Sequence, residues 1–501
     1  MLRTTCIALA FTALCAPLAS AAPAAEAPAP IDWRAAYLSD LEAAHAAIRD
    51  HHPGAIDPRN PGFRERLDDG FAQARALAPK VGDGQAYWFG LRRFAHALGD
   101  PHTGFLRDDA DPAARWPGFL LVERDGDWVV ARGTGDALPP DGARVLDCDG
   151  RTPAQLAQAL VFPFTLDARL AAHRREAASR ALVDRGNPLA PLPRRCRFEH
   201  DGRTRGHVLA WQPIATEALQ AMIDDALWGR RDPAITWREP AEGVAWLQIP
   251  TFYPESEADV AALEGLIARL AAERERLHAA RLVVFDLRGN GGGTSSWGDR
   301  LVEALWGEAA AAYRPAEAPA TDWRATQGNL DYWLAVRTQL APRFDADPAL
   351  ARYVDGTIAG LRAALASGAP YYRETAAAPA EAAPVTPWPL RAPVAFLTDG
   401  QCASACLNFA DWMVRLPGAT HVGAETAADA VYIESRFIAL PSGRARLLLA
   451  QKVLRDGPRA DMQPYAPDIA YGGAWTREAV TTWVLGLLRD GRLAAAPGAS
   501  H

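Results

Sequence analysis

Apolar positions recur along this chain in different rhythms, and each rhythm predicts a different kind of element. From Trp33, the positions Tyr37, Leu41, Ala44 and Ile48 repeat at helical spacing and stop before Pro53-Gly54. Two further helices are expected over about 62–77 and 85–98, which gives an N-terminal helical unit over 30–110. It closes on the turn-rich segment Gly99-Asp-Pro-His102-Thr-Gly104-Phe105. From Trp116 to Trp211 the pattern shortens to strand-length runs: 118–123, 128–131 and 142–150, then a helix from Pro153, then 196–198 and 206–210. A β module over 115–215 follows, carrying an arginine-rich helical insertion around 165–195.

The remainder, 216–490, alternates strand and helix. Val244–Ile249 reads as a strand, Val260, Leu263, Ile267 and Leu270 line one face of a helix, and Leu282–Leu287 is a nearly unbroken apolar run. Such runs belong to parallel strands covered on both faces, so an α/β core is implied. An insertion over 307–390 has Ala/Pro-rich ends and a helical middle with Trp333, Leu334, Leu340, Tyr353 and Leu361; it is expected to cap the core. The run Pro393–Leu397 is another strand. After it Leu407, Phe409, Trp412, Met413 and Leu416 recur at helical spacing until Pro417-Gly418.

At the chain start, Arg3, the apolar stretch Cys6–Leu18 and Ala19-Ser20-Ala21 have the form of a secretory signal peptide over 1–21. This points to a periplasmic or secreted protein, and no later apolar stretch is long enough to span a bilayer. With 53 basic against 60 acidic residues and no basic run, nothing suggests nucleic acid or an anionic membrane as a partner. Of the four cysteines beyond the leader, Cys148 and Cys196 end strand-like segments in one region and are the expected disulfide. Cys402 and Cys406 are expected as free thiols, because a disulfide four residues apart within a regular helix is awkward. Without further histidine or cysteine nearby they make a poor zinc site, and no metal or organic cofactor is expected.

Two segments carry chemistry. Ser404 falls where a buried strand turns into a helix, at an end whose unpaired N–H groups and positive dipole would stabilise an oxyanion. Serine also serves there as an ordinary N-cap. The strand Leu282–Leu287 ends in Arg288-Gly-Asn-Gly291-Gly292-Gly293-Thr294, a glycine turn that lets backbone N–H groups face a ligand. It lacks the Gly-Lys-Ser/Thr ending of a nucleotide loop, and Thr294 stands where a dinucleotide loop has its last glycine. An anion-binding turn for an oxyanion is the better reading. Asp286 and Arg288 are expected to brace it. His51-His52 reads as helix-end polarity.

Three of these segments, Gly99–Gly104, Asp286–Gly293 and Thr398–Ala405, together with "GVAWLQIPTF" at 243–252 and "YAPDI" at 465–469, resemble the C-terminal processing (tail-specific) serine peptidases and their tricorn-like relatives. The β module, with "ARVLDCDG" before its helix, is similar to a PDZ domain, a type that captures extended peptides by strand addition. The resemblance implies a crotonase/ClpP-like βα-superhelix core beside the helical domain and the PDZ-like module. It implies Ser404 as nucleophile, with an oxyanion hole from Ala405 and from Gly291 or Gly292. Many members use a lysine as base where this chain has Asp429, and neither Lys80 nor Lys452 matches a family motif. The tricorn-like branch uses a histidine at the position of His102, and a carboxylate ahead of "PDI" that corresponds to Asp461, where glutamate is usual. Glu425 is the alternative third member. The expectation is a serine endopeptidase acting on peptides or proteins through an acyl-enzyme. A non-catalytic binding protein on the same fold, or an ester hydrolase, stays open.

Overall fold

The computed structural model describes residues 31–108, 112–133, 138–229, 232–314, 320–375 and 391–493; the expected leader and both Ala/Pro-rich ends of the cap fall largely outside them. Helices Trp33–His51, Gly62–Arg75 and Gly84–Leu98 match the expected N-terminal unit. Their apolar stripes, with Tyr37, Leu41, Phe63 and Phe94 fully buried, pack against Leu447, Leu449 and Val453 of the long strand Arg446–Arg455. That strand pairs antiparallel with the short strand Gly104–Leu106, so the turn that carries His102 is pinned two residues away from a sheet.

The β module is a five-stranded antiparallel sheet in the order Leu120–Arg124, Asp127–Ala131, Arg144–Cys148, Arg195–His200, Arg203–Val208. Cys148 and Cys196 face each other in register, with Cα atoms 3.9 Å apart, and form the expected disulfide. The insertion supplies a helix, Ala171–Ala181, whose Ser179 hydroxyl donates to the carbonyl of Leu121 on the edge strand at 2.9 Å. At that point the strand edge is taken by the chain's own helix.

The core sheet runs Ile469–Ala470, Ala419–Gly423, Val394–Thr398, Leu282–Asp286, Val244–Gln248, Thr236–Arg238, parallel except for the last. Every residue of Leu282–Asp286 and Val394–Thr398 is buried, as their unbroken apolar runs require. The helix Glu257–Ala272 buries Leu263, Leu266, Ile267 and Leu270, but Val260 is exposed: the apolar stripe begins a turn later than the spacing suggested. The cap also differs from expectation. Its helices Gln327–Leu340 and Pro348–Ser367 are bracketed by strands Ala320–Arg324 and Tyr371–Thr375, which extend the sheet of Arg446–Arg455. The aromatic run hid the strands, because Trp323 is buried against Trp333 as part of the cap's own core.

His421 sits on the Ala419–Gly423 strand, buried and stacked on Phe396. Its Nδ1–H donates to Ala466 O at 3.1 Å, and Nε2 lies 2.6 Å from the Thr398 hydroxyl, which also lies 2.7 Å from Ala424 O. Burial pushes its pKa down to about 4. Neutral in the fold, but able to take a proton near 6.5 once unfolded, His421 contributes stability that is whole above pH 6.5 and is lost as pH falls through about 4. A drop of about 3 kcal/mol across that window is expected from this residue. Urea titrations at several pH values check it: His421→Asn should flatten the acid slope by that amount.

Candidate active site

The strands Leu282–Asp286, Val394–Thr398 and Ala419–Gly423 are parallel neighbours, and the loops leaving their C-terminal ends meet. In open α/β sheets that end is where ligands bind. The first strand delivers the glycine turn, the second the serine turn, and the third the loop 424–430.

Ser404 has φ 51° and ψ −118°, a left-handed conformation that is costly for a residue with a side chain. It stands immediately before the helix Ala405–Met413, is exposed, makes no capping hydrogen bond, and has no side-chain partner among the described residues. The N-cap reading is therefore not met. A strained serine on a strand-to-helix turn is how a hydroxyl is thrust out of a sheet toward a substrate. Cys402 and Cys406 bracket it in a disulfide, contrary to the expected free thiols. The objection to an i, i+4 bridge applied to a regular helix; here Cys402 precedes the helix and the Cα atoms come within 5.3 Å.

The glycine turn lies directly against the serine. Gly292 has φ +102°, and a Cβ on it would fall 2.7 Å from both Ala403 O and Ser404 Cβ, so only glycine fits. Asn290, fully buried, braces the turn: its Nδ2 donates to Ile249 O at 3.0 Å and its Oδ1 accepts from Gly292 N–H at 3.0 Å. Asp399 accepts from Gly289 N–H at 3.0 Å, tying the turn to the serine segment. Asp286 and Arg288 pair as expected, at 2.7 and 2.8 Å. Of the two candidate glycines, Gly292 has its N–H committed to Asn290. The amides of Gly291 and Ala405 have no partner among the described residues.

His102 reaches the site from the helical unit. Its own N–H donates to Asp100 Oδ1 at 2.9 Å, and its carbonyl accepts from the Ser435 hydroxyl at 2.8 Å. Asp100 is buried and pairs with buried His52: Nε2–H donates to Oδ2 at 3.0 Å, while His52 Nδ1 accepts from Gly54 N–H at 2.9 Å. Burial works against the Asp100 anion, yet the His52 ring and the His102 amide hold its carboxyl below the usual carboxylate range. His52 is thus a brace for the His102 turn. Helix-end polarity was all its position showed, since the partner lies 48 residues away.

The imidazole of His102 has Nε2 3.6 Å from Asp429 Oδ1, while Nδ1 is buried without a hydrogen bond to any of the described residues. Ser404 and His102 are not hydrogen-bonded to each other, a gap common in sites that tighten only around substrate. The loop 424–430 joins their surroundings: Ala427 N–H donates to Cys402 O at 3.1 Å, two residues before Ser404, and Asp429 follows two residues later. Asp461 has other partners. It accepts from Asn60 Nδ2 at 3.1 Å and from Val431 N–H at 3.2 Å, and burial, with Asp100 nearby, pushes its pKa up. Glu425 is also engaged elsewhere, accepting from Ala171 N–H at 2.7 Å. The carboxylate beside the ring is Asp429. Lys452 lies in the cap sheet, 3.4 Å from Glu434 and over the Trp323 ring.

Residues 243–471 match the family model described as peptidase family S41. They form a family S41 peptidase domain. The chain is accordingly a serine-type peptidase with peptide or protein substrates. Its fold is similar to that of mature CPAF, at 15% identity over 92% of this chain and 99% of that one, with a TM-score of 0.57. The structure of mature CPAF complexed with lactacystin is similar too, at 14% identity over 91% and 99%, with a TM-score of 0.58. These likenesses extend the shared fold beyond the S41 domain to nearly the whole chain. No curated protein matches the sequence.

Proposed function

We propose that this chain is an exported serine endopeptidase in which Ser404 is the nucleophile and His102 its base. The observation that carries the reading is the strained, exposed, unpartnered Ser404 with Gly292 packed against it. His102 takes the hydroxyl proton as Oγ attacks the peptide carbonyl carbon. The N–H groups of Ala405 and Gly291 hold the oxyanion of the tetrahedral intermediate. The imidazolium then protonates the departing amine, leaving an acyl-enzyme. Water, deprotonated by the same imidazole, attacks the ester, and Ser404 recovers its proton. No cofactor is needed for these steps. Asp429, beside Nε2, stabilises the imidazolium. Export is supported by the apolar leader and by two disulfides, which persist in oxidising compartments.

The test follows new amino termini released from an unfolded protein substrate, for the wild type and for Asp429→Asn and Asp461→Asn. Asp429→Asn is expected to lower kcat by about 10²–10⁴-fold, as the loss of an orienting carboxylate does. Asp461→Asn should stay within about tenfold, because its contacts are to Asn60 and Val431. A larger loss at Asp461 would return the orienting role to it, and no release of amino termini by the wild type would end the peptidase reading.

A further inference from the structure

Glu425 is a carboxylate close to the catalytic loops that the mechanism above does not use. Its Oε1 accepts the N–H of Ala171, the first residue of the helix Ala171–Ala181 in the β module. That helix has no side-chain cap of its own, since Leu170 stands at its N-cap. The core thus supplies, from 254 residues away, the acceptor that the helix sequence lacks.

The next residue makes a second contact. A Cβ on Gly400 would fall 2.6 Å from Ala172 Cβ and 2.8 Å from the Trp228 ring, so Gly400 is where the helix's first turn lies on the segment leading to Ser404. The same turn therefore touches two loops of the site. Through Glu425 it holds the loop 424–430, which carries Asp429 beside His102. Through Gly400 it bears on the serine turn. The loop is fastened to that turn by Ala424 N–H on Thr398 O at 3.0 Å and Ala427 N–H on Cys402 O at 3.1 Å. Further along, the helix is anchored to the module by Ser179 on Leu121 O and to the core by the Arg175 guanidinium 5.0 Å over the Trp228 ring.

We infer that Glu425 is a positioning residue for the peptidase reaction: by tethering the Ala171–Ala181 helix it sets the spacing between the Asp429 loop and the serine turn. The inference rests on the assignment of Ser404 and His102 made above. Catalytic groups displaced by about 1 Å lose on the order of 10²-fold in rate, so a slack tether is read out in kcat and not in substrate affinity.

Three variants test it. Glu425→Ala removes the acceptor and Glu425→Gln keeps one. Ala171→Pro removes only the donor: proline is favoured at the first position of a helix, and Leu170, at φ −88° and ψ 129°, already has the extended backbone required before proline. Each is measured for kcat and KM on a peptide and for the rate at which a fluorophosphonate labels Ser404, with a melting curve alongside. Glu425→Ala and Ala171→Pro should each lower kcat and the labelling rate by about 10–100-fold, with KM within about threefold. Glu425→Gln should stay within about threefold of wild type. Should Glu425→Ala fail to fold, Ala171→Pro decides alone. Wild-type kcat and labelling in Ala171→Pro would overturn the inference. Failure of the underlying assignment shows differently, as a wild-type protein whose Ser404 is never labelled.

Discussion

Replacing Ser404 by alanine is expected to lower kcat/KM for peptide hydrolysis by on the order of 10⁶-fold while leaving the melting temperature almost unchanged. The hydroxyl makes no hydrogen bond with the described residues, so its removal strands no partner. Alanine keeps the Cβ, and with it the cost of the backbone at φ 51°. Ser404→Gly separates the two roles of the position. Glycine adopts that conformation without strain, so this variant should be as inactive as the alanine variant yet more stable by about 1 kcal/mol. A turn that costs stability and is relieved by the loss of activity is the signature of a backbone shaped for reaction. Steady-state hydrolysis and denaturant titration of the two variants check both halves.

His102→Ala is expected to lower kcat by roughly 10⁴-fold or more, again with the fold intact. The contacts that fix this turn are to the His102 backbone, from Asp100 Oδ1 and the Ser435 hydroxyl, and they survive truncation of the side chain. Nδ1 has no hydrogen bond to lose among the described residues. Removing His52, by contrast, leaves buried Asp100 without its ring partner and should damage folding first. If the base were a lysine, His102→Ala would spare activity. Lys452 is engaged with Glu434 and the Trp323 ring. Melting curves beside the kinetics separate loss of the base from loss of the fold.

How much of this was legible in the sequence varies by element, for physical reasons. The three N-terminal helices and the buried parallel strands follow from apolar periodicity, which is a local property. The serine turn and the glycine turn were legible as motifs, and pairing of Asp286 with Leu397 in neighbouring parallel strands explains why they meet. The cap's two strands were not legible, because Trp323 and Tyr371 read equally well as aromatic filling of a helical cap. The Cys402–Cys406 disulfide runs against the expectation because the objection to an i, i+4 bridge holds only when both cysteines lie inside one regular helix, and Cys402 precedes Ala405–Met413. The carboxylate beside His102 was missed for a different reason. Offset from "PDI" selects Asp461, while contact with the ring depends on the path of the loop after Gly423, which no local pattern encodes. In the sequence alone Asp429 is marked only by not being lysine. The braces His52, Asn290 and Glu425 act over 48, 41 and 254 residues of separation and leave no trace in local spacing.

On the proposed mechanism, the reactivity of the Ser404 hydroxyl depends on His102. The most direct measurement is the rate at which a fluorophosphonate modifies the folded protein, with the adduct located by mass spectrometry, in wild type and in His102→Ala. A single adduct on Ser404 is expected, forming at least about 10²-fold more slowly without the imidazole. An adduct on another residue, no adduct at all, or equal rates in the two proteins would contradict it.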